Sequence, residues 1–405
     1  MIRRIAACWL LAVATAAVAQ APYRPVGDHV VLEKLQVPRL AGAASLQELR
    51  AHWVSRPASV PAALAYARGA FELNRREEDP RYLGYAQIAL GPWWDLPRPP
   101  PEIMLLRASL RLARMEHVQA EQDLQALIDS PAPEGHAARI TRAGLRLSQG
   151  NPVAALADCR AAVSHVSGLV AATCAAAANG LGSTAAGALA DLETALQGSA
   201  DAPLASELWA RAVAAELAQR LGRTEQARRH FEAGIRRMTT ADSTDPGLLA
   251  AYADFLLEQR EGRSVQALLT PYQRQDSLLL RLALAQRMLG TAGDATAEGN
   301  AQVHARRLAL RFEEMRRRGD RSHLRDQAVF ELDVRGNADA ALQYIGQSWA
   351  YQRDPVDARL YLRAALAAGR PEAARDVLQW LENTGVKDLR LTSAIADLRR
   401  QAPSR

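Results

Sequence analysis

Lysine is almost missing from this chain of 405 residues: of 50 basic side chains only Lys34 and Lys387 are not arginine. Usage this lopsided reflects genomic base composition. The net excess of +6 is spread along the whole chain, whereas a nucleic-acid binder gathers its basic residues on one face, so no nucleic-acid partner is expected. Aromatics make up only 5% of residues and long Val/Ile/Thr alternations are missing, which argues against a sheet-built core and for helices. Beyond the first twenty residues, no apolar run approaches the roughly 18 residues a membrane helix needs. Catalytic signatures are missing as well. There is no H-E-x-x-H pair for zinc, no Walker A loop and no G-x-S-x-G elbow. The eight histidines are scattered. The run Gly180-Leu181-Gly182-Ser183-Thr184 comes after VAATCAAAAN, which is helical in composition where phosphate chemistry requires a strand. It reads as a turn between helices. Neither cofactor nor metal is expected, and the chain is not read as an enzyme.

What is present starts with a leader. Arg3 and Arg4 precede the apolar stretch from Ile5 to Ala16, and Ala17-Val18-Ala19 ends it with small residues. This is the pattern of a Sec-type signal peptide, so residues 1–19 are expected to be removed and the mature protein to be periplasmic or secreted, without an integral membrane segment. Loss of the two leader arginines takes the charge from +6 to +4. Residues 22–44 read as extended, either a cap lying across the first helices or a flexible lead. A helix is predicted from Ser45 to Ser55, capped by Ser45. The 20–59 region is thus an extended segment and a first helix.

From about residue 60 to 385 the chain repeats itself. In LGRTEQARRHFEAGI (221–235), Gly222 marks a turn, Ala227 stands five residues on, Phe231 four beyond, and Gly234 three further. The spacing recurs as Gly150/Ala155, Gly262/Ala267, Gly336/Ala341 and Gly369/Ala374, with weaker copies at Arg81/Ala86, Met115/Ala120 and Gly182/Gly187. The small anchors at 86, 120, 155, 187, 227, 267, 341 and 374 are separated by 34, 35, 32, 40, 40, 74 and 33 residues. Another small residue stands twelve positions earlier in half of the copies, at Ala108, Ala143, Ala175 and Ala215.

This pattern resembles the tetratricopeptide repeat (TPR), and the DPRYLGYAQIALGPWWDLP stretch resembles a group of secreted bacterial repeat proteins of unassigned function. The resemblance implies an all-α fold, a right-handed α-solenoid of helix-turn-helix units whose stacking buries a continuous core and curves a concave face. Local contacts should dominate. Gly- and Thr-rich residues 290–300 are expected to form a surface loop, residues 303–318 an amphipathic helix, and residues 386–405 a capping helix and tail.

The register assigns roles. Cys159 falls at the groove-filling position of one B helix and Cys174 on the buried side of the next A helix, so an oxidising compartment would join them; the alternative is two buried thiols. Inner-face positions lie 18, 15, 11, 8 and 7 residues before each anchor. For Ala227 these include Trp209, Glu216, Gln219 and Arg220; for Ala267, Tyr252, Gln259 and Arg260. Aromatics beside Arg and amide groups suit an extended peptide, although Trp209 and Tyr252 could equally cover inter-helix seams. In the same register Leu90 fills a groove, Trp93 and Trp94 plug the joint between the first repeats, and Pro101 opens the next helix. The expected function is a non-catalytic protein-protein interaction scaffold or adaptor of the bacterial periplasm or cell envelope, within an envelope-associated complex. The alternative is an envelope enzyme or an accessory factor of a cell-wall enzyme, with its active site inside the array.

Overall fold

Six helical hairpins share one backbone solution in the computed structural model, which describes residues 43–401. In each, a residue with positive φ precedes a fully buried side chain by five positions: Met115/Ala120, Gly150/Ala155, Gly222/Ala227, Arg260/Val265, Gly336/Ala341 and Gly369/Ala374. The left-handed residue reverses the chain after the A helix. The small or β-branched residue then lets the B helix close onto it.

The helices run α1 Ala43–Ser55, α2 Val60–Glu77, α3 Arg81–Ala89, the single turn α4 Gly91–Trp94, α5 Pro101–Ala113, α6 His117–Ile128, α7 Glu134–Ser148, α8 Pro152–Ala162, α9 Gly168–Asn179 and α10 Ala185–Gln197. They continue as α11 Leu204–Arg220, α12 Thr224–Thr240, α13 Pro246–Glu258, α14 Gly262–Leu269, α15 Asp276–Thr291, α16 Ala295–Arg317, α17 Leu324–Val329, α18 Ala338–Trp349, α19 Pro355–Ala367, α20 Arg375–Thr384 and α21 Thr392–Gln401. Consecutive helices pack pairwise, so the fold is all-α and TPR-like. Among the described residues no helix is long and apolar enough to cross a membrane. The predicted leader and residues 22–42 lie outside the described residues.

Four expectations need correction. Ala267 is exposed and Val265 is the buried residue, because Arg260, not Gly262, takes the left-handed turn. Gly262 is buried against the carbonyl of Ala285 and the side chain of Leu289. Gly187 is exposed too; Ala188 packs inward instead, and its partner twelve residues earlier is Ala176, not Ala175. Residues 290–300 form no extended loop; only 292–294 lie between α15 and α16. Asp294 caps α16 by accepting from the Ala297 amide, and Gly290 lies so close to Glu298 that a Cβ there would meet its Cβ at 2.8 Å. Gly290 serves helix contact, and Gly293 takes the positive φ of the short turn. Finally, α1 begins at Ala43, so Ser45 lies within its first turn and not ahead of it; α2 in turn is capped by Ser59, which accepts from the Ala62 amide.

The tandem tryptophans sit at the joint between α3 and α5. Leu90 is fully buried, Trp93 and Trp94 are half-buried, and Pro101 opens α5. The carbonyls of Trp93, Trp94 and Leu96, left over where α4 ends, all accept from Arg107 Nη1.

Arg107 also belongs to a clamp that the spacing of small residues does not reveal. Its Nε and Nη2 hold both oxygens of Asp123 at 2.9 and 2.7 Å, and Arg111 adds a third bond at 2.7 Å. One repeat later Arg142 and Arg146 hold Asp158 in the same way, at 2.8, 2.6 and 2.8 Å. Each clamp ties an A helix to its own B helix through a buried fork-to-fork pair.

Local contacts dominate the packing, but a set of distant ones joins the chain as well. Gln275 Nε2 donates to the Arg76 carbonyl, and the Ser277 amide and hydroxyl donate to Glu78. Further along, the Arg353 amide donates to the Ser148 carbonyl at 2.7 Å, and the Lys387 amide to that of Leu181 at 2.8 Å. Trp380 Nε1 donates to the Gly150 carbonyl at 3.1 Å. Residues about two hundred positions apart therefore meet in parallel order, so successive turns of the coil touch along a seam. Those donors and acceptors are backbone and side-chain groups at helix ends and inter-helix turns, which no repeat spacing announces.

One seam contact titrates. Burial would lower the pKa of His323, but its partner Asp326, with the charges of Glu78 and Asp276, raises it to about 9. Arg281, which shares Asp326, works against this. The folded value lies above the unfolded one of about 6.5. The added stability is thus complete below pH ~6.5 and lost as pH rises through about 9. Melting points are expected to fall between pH 7 and 10, by up to ~3 kcal/mol of stability, and His323→Gln should remove most of that slope. An unchanged slope in the variant would show that His323 is not charged there.

Candidate functional site

The coil encloses a groove. Its central cleft, about 560 Å³, is lined by the last turn of α7, by α9, α11 and α13, and then by residues of α15, α17 and α19. A second cleft of about 620 Å³ continues it, sharing Asp254, Arg281, Arg325 and Arg359. These helices are the A members of their hairpins, so the groove is the inner face of the array.

The α11 side agrees with sequence spacing. Trp209, Glu216, Gln219 and Arg220 all line the first cleft. Trp209 is half-buried and packs on its far side against the cluster holding Cys159 and Cys174. Those cysteines, buried and fifteen residues apart in sequence, are joined as a disulfide between α8 and α9. Arg220 is a structural residue: 3% exposed, it donates to the Gly180 carbonyl at 3.0 Å and lies 3.5 Å from Glu216. It braces the end of α9 and presents little charge to the groove.

The α13 side departs from expectation because the turn falls at Arg260, two residues before Gly262. Tyr252 stacks on Phe231 at 5.3 Å and belongs to the core, while Gln259 and Arg260 are exposed at the turn. Arg260 lines only the second cleft. Counted back from Val265, the same five offsets give Gly247, Ala250, Asp254, Leu257 and Glu258; four of them line the first cleft and Leu257 lines the second. Periodicity held the signal; the wrong turn residue hid it.

Opposite α11 stands a wall of arginines that the repeat register did not single out. Arg281, 8% exposed, lies between Asp254 at 3.0 Å and Asp326 at 2.6 Å. Burial disfavours its charge, but the two carboxylates hold it firmly protonated. Arg325 bridges Asp354 and Asp357 at the start of α19, and Arg359 pairs with Glu258. Each carboxylate lining the first cleft, Glu216, Asp254, Glu258 and Asp354, thus sits against an arginine. Among the described residues, no group of three or more His, Cys, Asp or Glu could hold a metal ion.

The described residues thus define a class, an all-α array of TPR-like helical hairpins with a groove on the inner face. No protein-family model matches the sequence, and no curated protein matches it. Solved structures similar to it include a tetratricopeptide repeat protein from Parabacteroides merdae. That similarity is at 15% identity over 66% of this chain and 99% of that one, with a TM-score of 0.37. The human IFIT1 dimer with m7Gppp-AAAA is similar at 15% identity over 85% of this chain and 86% of that one, TM-score 0.38. The APC/C hetero-tetramer Cut9–Hcn1 is similar at 12% identity over 89% and 87%, TM-score 0.29.

Proposed function

We propose that this chain is a non-catalytic interaction scaffold of the bacterial periplasm or cell envelope, which holds a partner protein or peptide in the inner groove. The observation that carries this reading is the groove itself: a long cleft with an anchored tryptophan, small side chains beside it, and charged groups already paired with one another. Anchored aromatics ringed by paired charges are typical of binding surfaces. The carboxylates that line the cleft are each occupied by an arginine, which suits a binding surface. The placement in the envelope rests on the leader at residues 1–19 and on the disulfide, which suits an oxidising compartment.

The test is a photocrosslinking residue placed at Ala212 or Ala250 in the groove, with one at Val153 on the outside as control. In envelope preparations the groove positions should yield a discrete protein adduct and Val153 none. Adding Trp209→Ala should cost the complex ~2 kcal/mol, roughly thirtyfold in affinity. Equal labelling from both faces would end this reading.

A further inference from the structure

Resting on the scaffold reading, we infer the partner's chemistry: the groove takes an extended peptide in which apolar and acidic side chains alternate. The two walls differ in kind because they come from different turns of the coil. On one side stand Leu147, Leu181, Trp209, Val213 and Ala250, among Glu216, Asp254 and Glu258 whose charges arginines already take up; on the other stand Arg325, Arg353, Arg359 and Arg390. The Arg353 amide bonds the Ser148 carbonyl at 2.7 Å, so the walls are joined directly and the ligand lies along them. A strand sends successive side chains to opposite sides, which matches one apolar and one cationic wall.

Charge selects the acid. Nine arginines line the two clefts, and six of them hold a carboxylate. The other three do not. The Arg353 side chain gives only Nε to the Trp349 carbonyl, that of Arg287 only Nη1 to the Val334 carbonyl, and the Arg260 guanidinium has no bonded partner among the described residues; all three are exposed. Arg353 borders the first cleft, whereas Arg260 and Arg287 border the second. Their N–H forks are spare at separate stretches of one continuous groove, and they match carboxylates in a two-bond geometry. A basic peptide would meet three uncompensated cations. A nucleic-acid strand would need a row of aromatic faces to stack its bases, and the first cleft offers Trp209 with Phe231 behind it.

The experiment uses fluorescence anisotropy of the mature protein with four labelled probes. These are an acetylated, amidated octapeptide alternating Val and Glu, its Val/Lys counterpart, a block isomer with four Val followed by four Glu, and a single-stranded oligothymidylate of eight nucleotides. The alternating Val/Glu peptide should bind at least tenfold more tightly than the other three. Arg353→Glu and Arg287→Glu, both in exposed side chains, should each weaken it by about tenfold with unchanged circular dichroism. Equal binding of the block isomer, tighter binding of the Val/Lys peptide or the oligonucleotide, or unaltered affinity in both variants would overturn the inference. If the groove crosslinks a partner while the Val/Glu peptide fails to bind, the chemistry falls and the scaffold reading stands. Failure of both removes both.

Discussion

Asp158→Ala should lower the stability of the array by about 3–5 kcal/mol, read as a shift of the urea midpoint. Asp158 is 2% exposed and accepts from Arg142 through two bonds and from Arg146 through a third. Removing the carboxylate leaves Arg142, itself 5% exposed, as a buried charge without its counter-ion. The cost lies mainly in that uncompensated cation, not in the lost attraction. The double change Arg142→Met with Asp158→Leu is therefore expected to recover more than half of the loss. A single-variant effect below about 1 kcal/mol would mean that water reaches Arg142 and that the clamp contributes no more than a surface pair.

Gly150→Ala should be the other severe substitution, at about 3 kcal/mol, with Gly369→Ala as its control at about 1 kcal/mol. Both glycines hold a left-handed backbone, with φ of 76° and 63°, so both variants bear the same intrinsic strain. They differ in surroundings. A Cβ on Gly150 would stand 2.4 Å from Trp380 Nε1 and 2.8 Å from the Cβ of Arg353, whereas nothing lies within 4 Å at Gly369. The excess therefore measures contact between turns of the coil. Hydrogen exchange should show it directly: the amide of Arg353, bonded to Ser148, should lose protection in Gly150→Ala and keep it in Gly369→Ala. Equal destabilisation of the two variants would mean that the seam is not formed in solution.

Much of this fold is legible in the residues because hairpin turns repeat a physical demand at fixed spacing. Gly222, Gly336 and Gly369 answer that demand in the expected way, and Ala227, Ala341 and Ala374 are buried accordingly. Legibility fails where another residue does a glycine's work. Met115 and Arg260 adopt φ of 61° and 64°, and mistaking Gly262 for the turn moved half of the candidate site onto the wrong face of α13. The arginine clamps were legible but unread: Arg107, Arg111 and Asp123 return 35 residues later as Arg142, Arg146 and Asp158. The groove's cationic wall was not legible, since it depends on which turn of the coil faces which, and that is decided by carbonyls and amides common to every residue.

The seam has a consequence for how such a chain can change over time. In an open stack each unit touches only its neighbours, so units can be gained or lost singly and stability is close to a sum. Here Gly150 must meet Trp380 and Glu78 must meet Ser277. Inserting or deleting one hairpin between them would shift every later unit by one place and bring unmatched surfaces together. The number of units per turn is thereby locked, and length variation should be confined to positions outside the joined turns or to whole turns at once.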